Sequence, residues 1–511
     1  MFLALWSASI ASQFGNAIQG VGASWLMTSL DGSAEKVALV QAAMTLPVGL
    51  FALIAGAVAD IYDRRRVMFG AQIMMLCVSA LLVGFTTFGA VTPWVLLAMT
   101  FLLGSGQAIF GPPMQATVGE VVPRADLPGA VSLNILGFNV ARSLGPALGG
   151  GIVLIGGPPL AFLVNALSYL GMISVLSVWR RPAPEQTLPR ERIGNAILGG
   201  LLYASMAPVL RNVLLRTIAF GLCGTAAWAL MPLVARDLVG GGPMDFGLLL
   251  GGLGFGAVLG ALLSTRIRMH FSNETIVRAA SVIYGLGCVV TAFSPWLWLT
   301  FAALVIGGAG WVQALSLFNV TMQMWAPRWV VGRALALFQT AIFGSMALGS
   351  WLWGLLAETH GLSTAICGSG LLMIALPLLG LFFSLPSGEA GDLEPLPRAN
   401  DPASLVDLDP QAGPVVVTVE YRIAEGDIAG FQAAMAEKRR IRRRDGARRW
   451  TLLQDVQKPE RWVERFHCPS WMDYLRHHSR ATVADRQIDD RVRAFQIGKE
   501  EPAFTYLVAR R

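Results

Sequence analysis

Charge is what this sequence has least of. Only 14% of its 511 residues are Asp, Glu, Lys or Arg, while 54% are hydrophobic; ordinary soluble domains carry about 25% charged residues. A water-soluble fold has no place for that much apolar surface, so the chain needs lipid. Runs such as "VMFGAQIMMLCVSALLVGF" and "STAICGSGLLMIALPLLGLFFSL" approach or exceed the ~20 residues a helix needs to cross the hydrocarbon. Backbone groups cannot go unpaired there, so the runs are helices. Cysteine is scarce too. Cys77, Cys223, Cys288, Cys367 and Cys468 are odd in number and scattered, which excludes a disulfide framework or a CxxC metal site. No GxxxxGK[ST] loop occurs, which argues against built-in ATP hydrolysis. The opening "MFLALWSASIASQFGNAIQGVGASWLM" lacks the basic start and short apolar core of a cleavable signal peptide, and is expected to form the first span.

Apolar windows predict spans near 3–29, 37–60, 67–88, 93–117, 130–155 and 159–179, then 212–236, 244–266, 275–294, 296–324, 333–357 and 362–385. The expected fold is an all-α membrane protein of twelve helices in two six-helix bundles, 1–180 and 211–386, joined by a polar connector, 181–210. One set of loops carries Arg64, Arg65, Arg66, Arg124, Arg180, Arg181, Arg190, Arg192, Arg266, Arg268, Arg328 and Arg333, whereas the alternate loops hold almost only Lys36 and Arg236. Lys and Arg collect on the cytoplasmic side, so both termini are expected there. The segments "VVPRADLPGAVSLN" and "WAPRWVVGRALALFQ" enter the fifth and eleventh spans alike, as in transporters built from two related halves.

After Pro386 an acidic, Pro-rich linker, 387–412, leads to a soluble domain, 413–511. Its pattern of strand, helix, two strands, helix and strand is that of a ferredoxin-like α+β fold. The basic run "KRRIRRRDGARR" (438–449) reads as a solvated helix face, or as contact with anionic lipid, ahead of nucleic acid. His467, Cys468, His477 and His478 do not share one helix face, so no metal is expected at them.

Two constellations sit within the spans. The loop "GAVADIYDRRRVM" ends one helix at Asp60 and follows it with three arginines. It reads as a topology determinant, or as a latch on a neighbouring helix end built from Asp60 with Arg65 or Arg66. In "ARSLGPALGG" (141–150), Gly145, Gly149 and Gly150 permit close helix approach and Pro146 removes an N–H and favours a bend. Arg142 lies about 18 Å along a helix beginning near Ala130. A cation at that depth is costly and faces the bundle interior or a wet cavity, unless it ties helix ends through carbonyls. Gln13 and Asn16, Gln107 and Gln115, Asn134, and Gln313, Ser316 and Gln323 fall at helical spacings and together suggest a polar-lined path; singly, each reads as an interhelical hydrogen bond. The candidate substrate cavity is therefore Asn16, Gln107, Asn134, Arg142, Gln313 and Ser316. The candidate gating set is Gly56, Asp60, Arg65, Arg66, Gly145, Pro146 and Gly149. Glu120, Asp126 and Glu358 all sit near span ends or loops, so no intramembrane proton relay is identifiable.

The spacing of Gly56, Asp60 and Asp63-Arg64-Arg65-Arg66 resembles the GxxxDRxGRRR signature of the major facilitator superfamily, with Ile61 and Asp63 as departures. The stretch "ARSLGPALGG" resembles its exporter motif GxxxGPxxGG, with Ala141 as a departure. With "EVVPRADLPGAVSLN", "AFLVNALSYL" and the tail "VERFHCPSWMDYLRHHSRATVADRQIDDRV", the chain is similar to the transmembrane secretion effectors, a branch related to enterobactin exporters. The resemblance implies a bacterial inner-membrane secondary transporter, not an enzyme, exporting small organic molecules without a cofactor, with protons as the coupling ion. The soluble tail also resembles small ferredoxin-like monooxygenases; a dimerising or regulatory module is the other reading.

Overall fold

The computed structural model describes residues 1–123, 126–179, 193–327, 329–386, 409, 411–480, 482–498 and 502–509. The expected Arg124, Arg180, Arg181, Arg190, Arg192 and Arg328, most of the linker, and the side chain of Asp60 lie outside the described residues. The first five helices are α1 (Phe2–Leu30), α2 (Ala34–Ile61), α3 (Arg64–Thr87), α4 (Pro93–Val121) and α5 (Leu127–Val178). The Asp63 carboxylate accepts the Arg66 N–H and starts α3. Thr92 does the same for Val95 ahead of Pro93 at the start of α4; both are side-chain caps on orphan amides.

Two of the expected runs lie in α5, which breaks at Gly157 (φ +68°) before Pro158 and Pro159. Glycine takes that left-handed conformation without the Cβ clash other residues meet, and the prolines cannot continue the hydrogen-bond ladder. After α6 (Ile193–Met206) and α7 (Pro208–Gly224), the run expected at 212–236 is interrupted. It continues as α8 (Ala226–Ala229), α9 (Met231–Leu233) and a π-turn at Val234–Leu238, since Pro232 has no N–H to donate. Then come α10 (Pro243–His270), α11 (Asn273–Phe293), α12 (Leu297–Met324), α13 (Val331–His360) and α14 (Leu362–Ala375), with a tight turn at Pro377 leading to α15 (Leu379–Phe382). Among the described residues, nine helices are long and apolar enough to cross a membrane, or ten if the bent pair Gly200–Met206 and Pro208–Gly224 is one span.

The C-terminal elements follow as β1 (Val415–Arg422), α16 (Ile428–Arg444), β2 (Arg448–Gln454), β3 (Arg461–Cys468), α17 (Trp471–Ser479), α18 (Val483–Ala494) and β4 (Ala503–Val508). The four strands form one sheet in the order β2-β3-β1-β4, every pair antiparallel. The single helical stretch expected after β3 is two helices, because Thr482 caps α18 with Asp485. Val417, Val419 and Tyr421 alternate onto the inner face, where Phe431 and Met435 of α16 fill the core.

The chain divides into two compact units. The larger, Met1–Ile193, Asn212–Thr321 and Leu335–Ser387, holds most of the helices. The smaller, Gly194–Arg211, Met322–Ala334 and Gly388–Arg511, gathers the connector helix, the α12–α13 turn and the soluble domain.

Candidate functional site

Within the larger unit, α5 presents two glycine-bearing faces. On one, Gly145 and Gly149 meet α1: an added Cβ would lie 2.6 Å from Ala17 Cβ and 3.1 Å from Ile18 Cα. On the other, Pro146 and Gly150 meet α10. A Cβ on Gly150 would lie 2.6 Å from the Pro243 carbonyl oxygen, and one on Gly247 2.5 Å from that of Pro146. Gly251 and Gly254 of α10 continue this contact past Ser143 and the Arg142 carbonyl. Such backbone proximity maximises dispersion between helices that gain nothing from excluding water in lipid. The α10 stripe at 247, 251 and 254 was missed in the sequence, although its three- and four-residue spacing is legible there.

Arg142 projects from the middle of the first part of α5. Its Cζ lies 5.2 Å from the ring centroid of Trp228 on α8, a cation–π contact between the two halves of the chain. Trp228 neighbours Trp311 at 6.1 Å, which neighbours Tyr284 at 5.1 Å. The Tyr284 hydroxyl donates to the Gly224 carbonyl at 2.6 Å and fixes the cluster. Among the described residues no carboxylate pairs with Arg142. No local sequence signal marks Trp228, since an aromatic in an apolar run reads as core.

The other candidates scatter. Asn16 accepts the Tyr169 hydroxyl at 2.6 Å, and Asn165, Gln19 and Ser79 extend that contact into a buried network tying α1, α3 and α5. Gln313 is buried and donates to the Gly260 carbonyl at 2.8 Å, joining α12 to α10. Ser316 accepts from Arg268 at 3.0 Å; Arg268 therefore lies in the last turns of α10, not in a loop. Asn134 is half-buried about two turns before Arg142, and Gln107 is exposed on α4.

Of the gating set, Arg65 donates to the Leu176 and Ser177 carbonyls, each at 2.7 Å. A cation there satisfies the free carbonyls at the end of α5. Arg66 is exposed, and a Cβ on Gly56 would meet nothing within 4 Å. An ion pair in the second half was also missed: the nearly buried Arg216 binds Glu274 at 2.5 Å, and Glu274 also accepts from Arg278 and from the Leu385 N–H. Arg216 inside an apolar run was the available signal.

At the opposite helix ends the halves are tied directly. The Ala34 N–H donates to Glu358 at 2.6 Å, Trp351 to Glu35 at 3.2 Å, and Arg236 to the Thr28 carbonyl at 3.1 Å. Trp25 stacks on Phe246 with centroids 6.3 Å apart.

These helices and close-packed glycine faces are accompanied by a match of residues 1–511 to a family model for transmembrane secretion effectors. The chain belongs to that family. It is a multi-pass membrane protein of the major facilitator superfamily, whose members here are transporters of small molecules, not enzymes. Over 386 residues it is 29% identical to the multidrug efflux pump Tap of Mycolicibacterium fortuitum, covering 73% of this chain and 93% of that one. It is 22% identical to the staphyloferrin A transporter of Staphylococcus aureus, covering 74% and 95%. A bacterial homologue of the lysosomal transporter Spinster, in an inward-facing and unoccupied conformation, shares the fold with a TM-score of 0.57 at 15% identity, covering 75% of this chain and 94% of that one.

Inside the smaller unit, Glu464 is fully buried. It accepts from Tyr421 and Trp450, each at 2.9 Å, and from Arg442 at 3.3 Å. Burial alone would raise its pKa, but Arg442 and Lys438 outweigh that and hold it below the usual carboxylate range. Burial, reinforced by Arg442, pushes His477 down to about 3. Burial likewise lifts Asp445 to about 6 against the pull of Arg444. Among the described residues no group of His, Cys, Asp and Glu is placed to hold a metal.

Two arginines of the soluble domain stack on aromatic rings elsewhere in this unit. Arg444 lies 5.2 Å from the Tyr203 ring of α6, and Arg480 4.3 Å from the Trp329 ring of the α12–α13 turn. Those two rings meet edge to face at 5.4 Å.

Proposed function

We propose that the protein exports small organic molecules across the bacterial inner membrane by alternating access of two six-helix halves, 1–180 and 211–386, around Arg142. The contact of Arg142 with Trp228 carries this reading, because it sets an uncompensated cation in mid-span where the halves meet. Twelve crossings result when α1 and the two parts of α5 are each counted with the bent pair and the remaining helices. The arginine-rich loops favour cytoplasmic termini. The tied ends opposite them then close the outer side, with Gly145, Pro146, Gly149 and Gly150 as the sliding surface. Arg65 and Arg66 with Asp60 form the inner latch. Asn16, Gln107, Asn134, Gln313 and Ser316 contribute to the polar path or to its scaffold. The named relatives favour drug-like or siderophore-like cargo, and proton coupling follows from the family resemblance.

The strand order β2-β3-β1-β4, with helical segments after β1 and after β3, supports a ferredoxin-like reading of the C-terminal domain, 413–511. Its filled core favours a regulatory module over a substrate-binding one, and a dimer through this domain is its further possibility for assembly. Everted membrane vesicles test the transport reading. Energised vesicles containing the protein should accumulate a substrate of efflux pumps such as ethidium or an iron-free siderophore, and a protonophore should abolish the uptake. Accumulation no greater than in vesicles without the protein, across such a panel, would remove the proposal.

A further inference from the structure

The charge and shape of the Arg142 site point to the class of cargo, on the reading that solutes pass through this interior. Among the described residues, the acidic residues of the larger unit, including Glu35, Asp245, Glu274 and Glu358, lie within about two turns of a helix end. Among the described residues, Arg142 is thus a cation without a counter-charge at its own depth. Its observed partner is the face of Trp228, and a ring quadrupole binds a guanidinium more weakly than a carboxylate or sulfonate fork does. Between Cys223 and Ala235, Trp228 is the one side chain that is not buried, and Arg142 is likewise half-open. Both side chains are thus only partly covered by the protein. Behind Trp228, Trp311 and Tyr284 continue the aromatic surface.

We propose that this site selects anionic solutes bearing a planar aromatic group. The anion takes the two N–H edges of the Arg142 guanidinium, and the ring stacks against Trp228. A cationic solute of the same shape meets Arg142 with no carboxylate at that depth to offset the repulsion. A half-covered charge with no carboxylate partner among the described residues thereby becomes a selectivity filter rather than a structural tie.

Three probes of similar size separate charge from shape: 2-naphthoate, 2-naphthamide and 2-naphthylmethylammonium. Their binding to the full chain in lipid nanodiscs is measured by equilibrium dialysis. The naphthoate is expected to bind about tenfold or more tightly than the other two. Arg142→Gln should abolish that preference, and Arg142→Lys should retain part of it, since Lys keeps the charge but not the fork. Trp228→Leu should weaken all three. Equal binding of the three probes, a preference for the ammonium, no binding of any, or an anion preference that survives Arg142→Gln would each overturn the proposal. Monodisperse elution of each variant confirms folding; if Arg142→Gln fails to fold, the graded response of Arg142→Lys decides. Selective anion binding without accumulation in energised vesicles would leave the site standing and remove the transport reading instead.

Discussion

Arg142, half-covered, and His477, buried, meet apolar surroundings with different consequences. The guanidinium keeps its charge and must find an electron-rich partner, whereas the imidazole gives its proton up. The His477 ring packs 5.4 Å from Phe466 beside Arg442, and its pKa stands at about 3. Between the ordinary value of 6.5 and about 3, the unfolded chain binds a proton that the folded domain refuses, so stability is lost as the pH is lowered through that window. Asp445 acts oppositely. Its raised pKa lets the native state bind a proton below about pH 6 that the unfolded state takes only near 3.8. The two partly cancel in the native protein. Urea unfolding of the full chain, followed through exchange protection of the β1 and β3 amides at pH 7 and pH 5, separates them. Asp445→Asn should lose more stability on acidification than the parent protein, and His477→Leu should lose less or gain. Identical pH slopes in all three would contradict these assignments.

At the scale of elements, the glycine faces of α5 and α10 decide how the halves meet. A leucine at Gly247 would drive its side chain into the Pro146 carbonyl and the Gly150 backbone, which have no flexible end to move aside. Gly247→Leu is therefore expected to abolish vesicle transport while the protein still reaches the membrane. Gly70→Ala on α3, where a Cβ meets nothing, should leave transport intact and gain a few tenths to about 1 kcal/mol in helix stability. Full transport by Gly247→Leu would show that this contact is not needed.

Sequence periodicity reveals such faces but not their partners. Spacing placed Gly145 and Gly149 on one face of α5, yet only the fold assigns them to α1 and Gly150 to α10. The break at Gly157 was legible because Gly and Pro act locally. The Arg142–Trp228 contact was not, since it joins two segments far apart in sequence. The soluble domain's strands were legible from their alternation, whereas the division into α17 and α18 depends on the Thr482 cap, a single side chain.

For the whole molecule, the smaller unit ties the soluble domain to the connector and the α12–α13 turn through Arg444 and Arg480. Each such cation–π contact contributes about 0.5–2 kcal/mol. Arg480→Ala combined with Arg444→Ala should raise amide exchange in 200–206 and 322–334 and change the transport rate, with β1 and β3 protection unchanged. Unaltered exchange at those segments would show that the contacts hold nothing in place.

Alternation of the two halves is tested most directly by the distance between their outer ends. Spin labels at Asp31 and Thr359, both exposed at the end where Ala34 meets Glu358, report it in a background with the native cysteines replaced. Two populations are expected in nanodiscs. The short one matches the tied state, and the long one grows when a transported solute or a pH gradient is applied. A single short distance under every condition, in protein that still transports, would contradict the proposed motion.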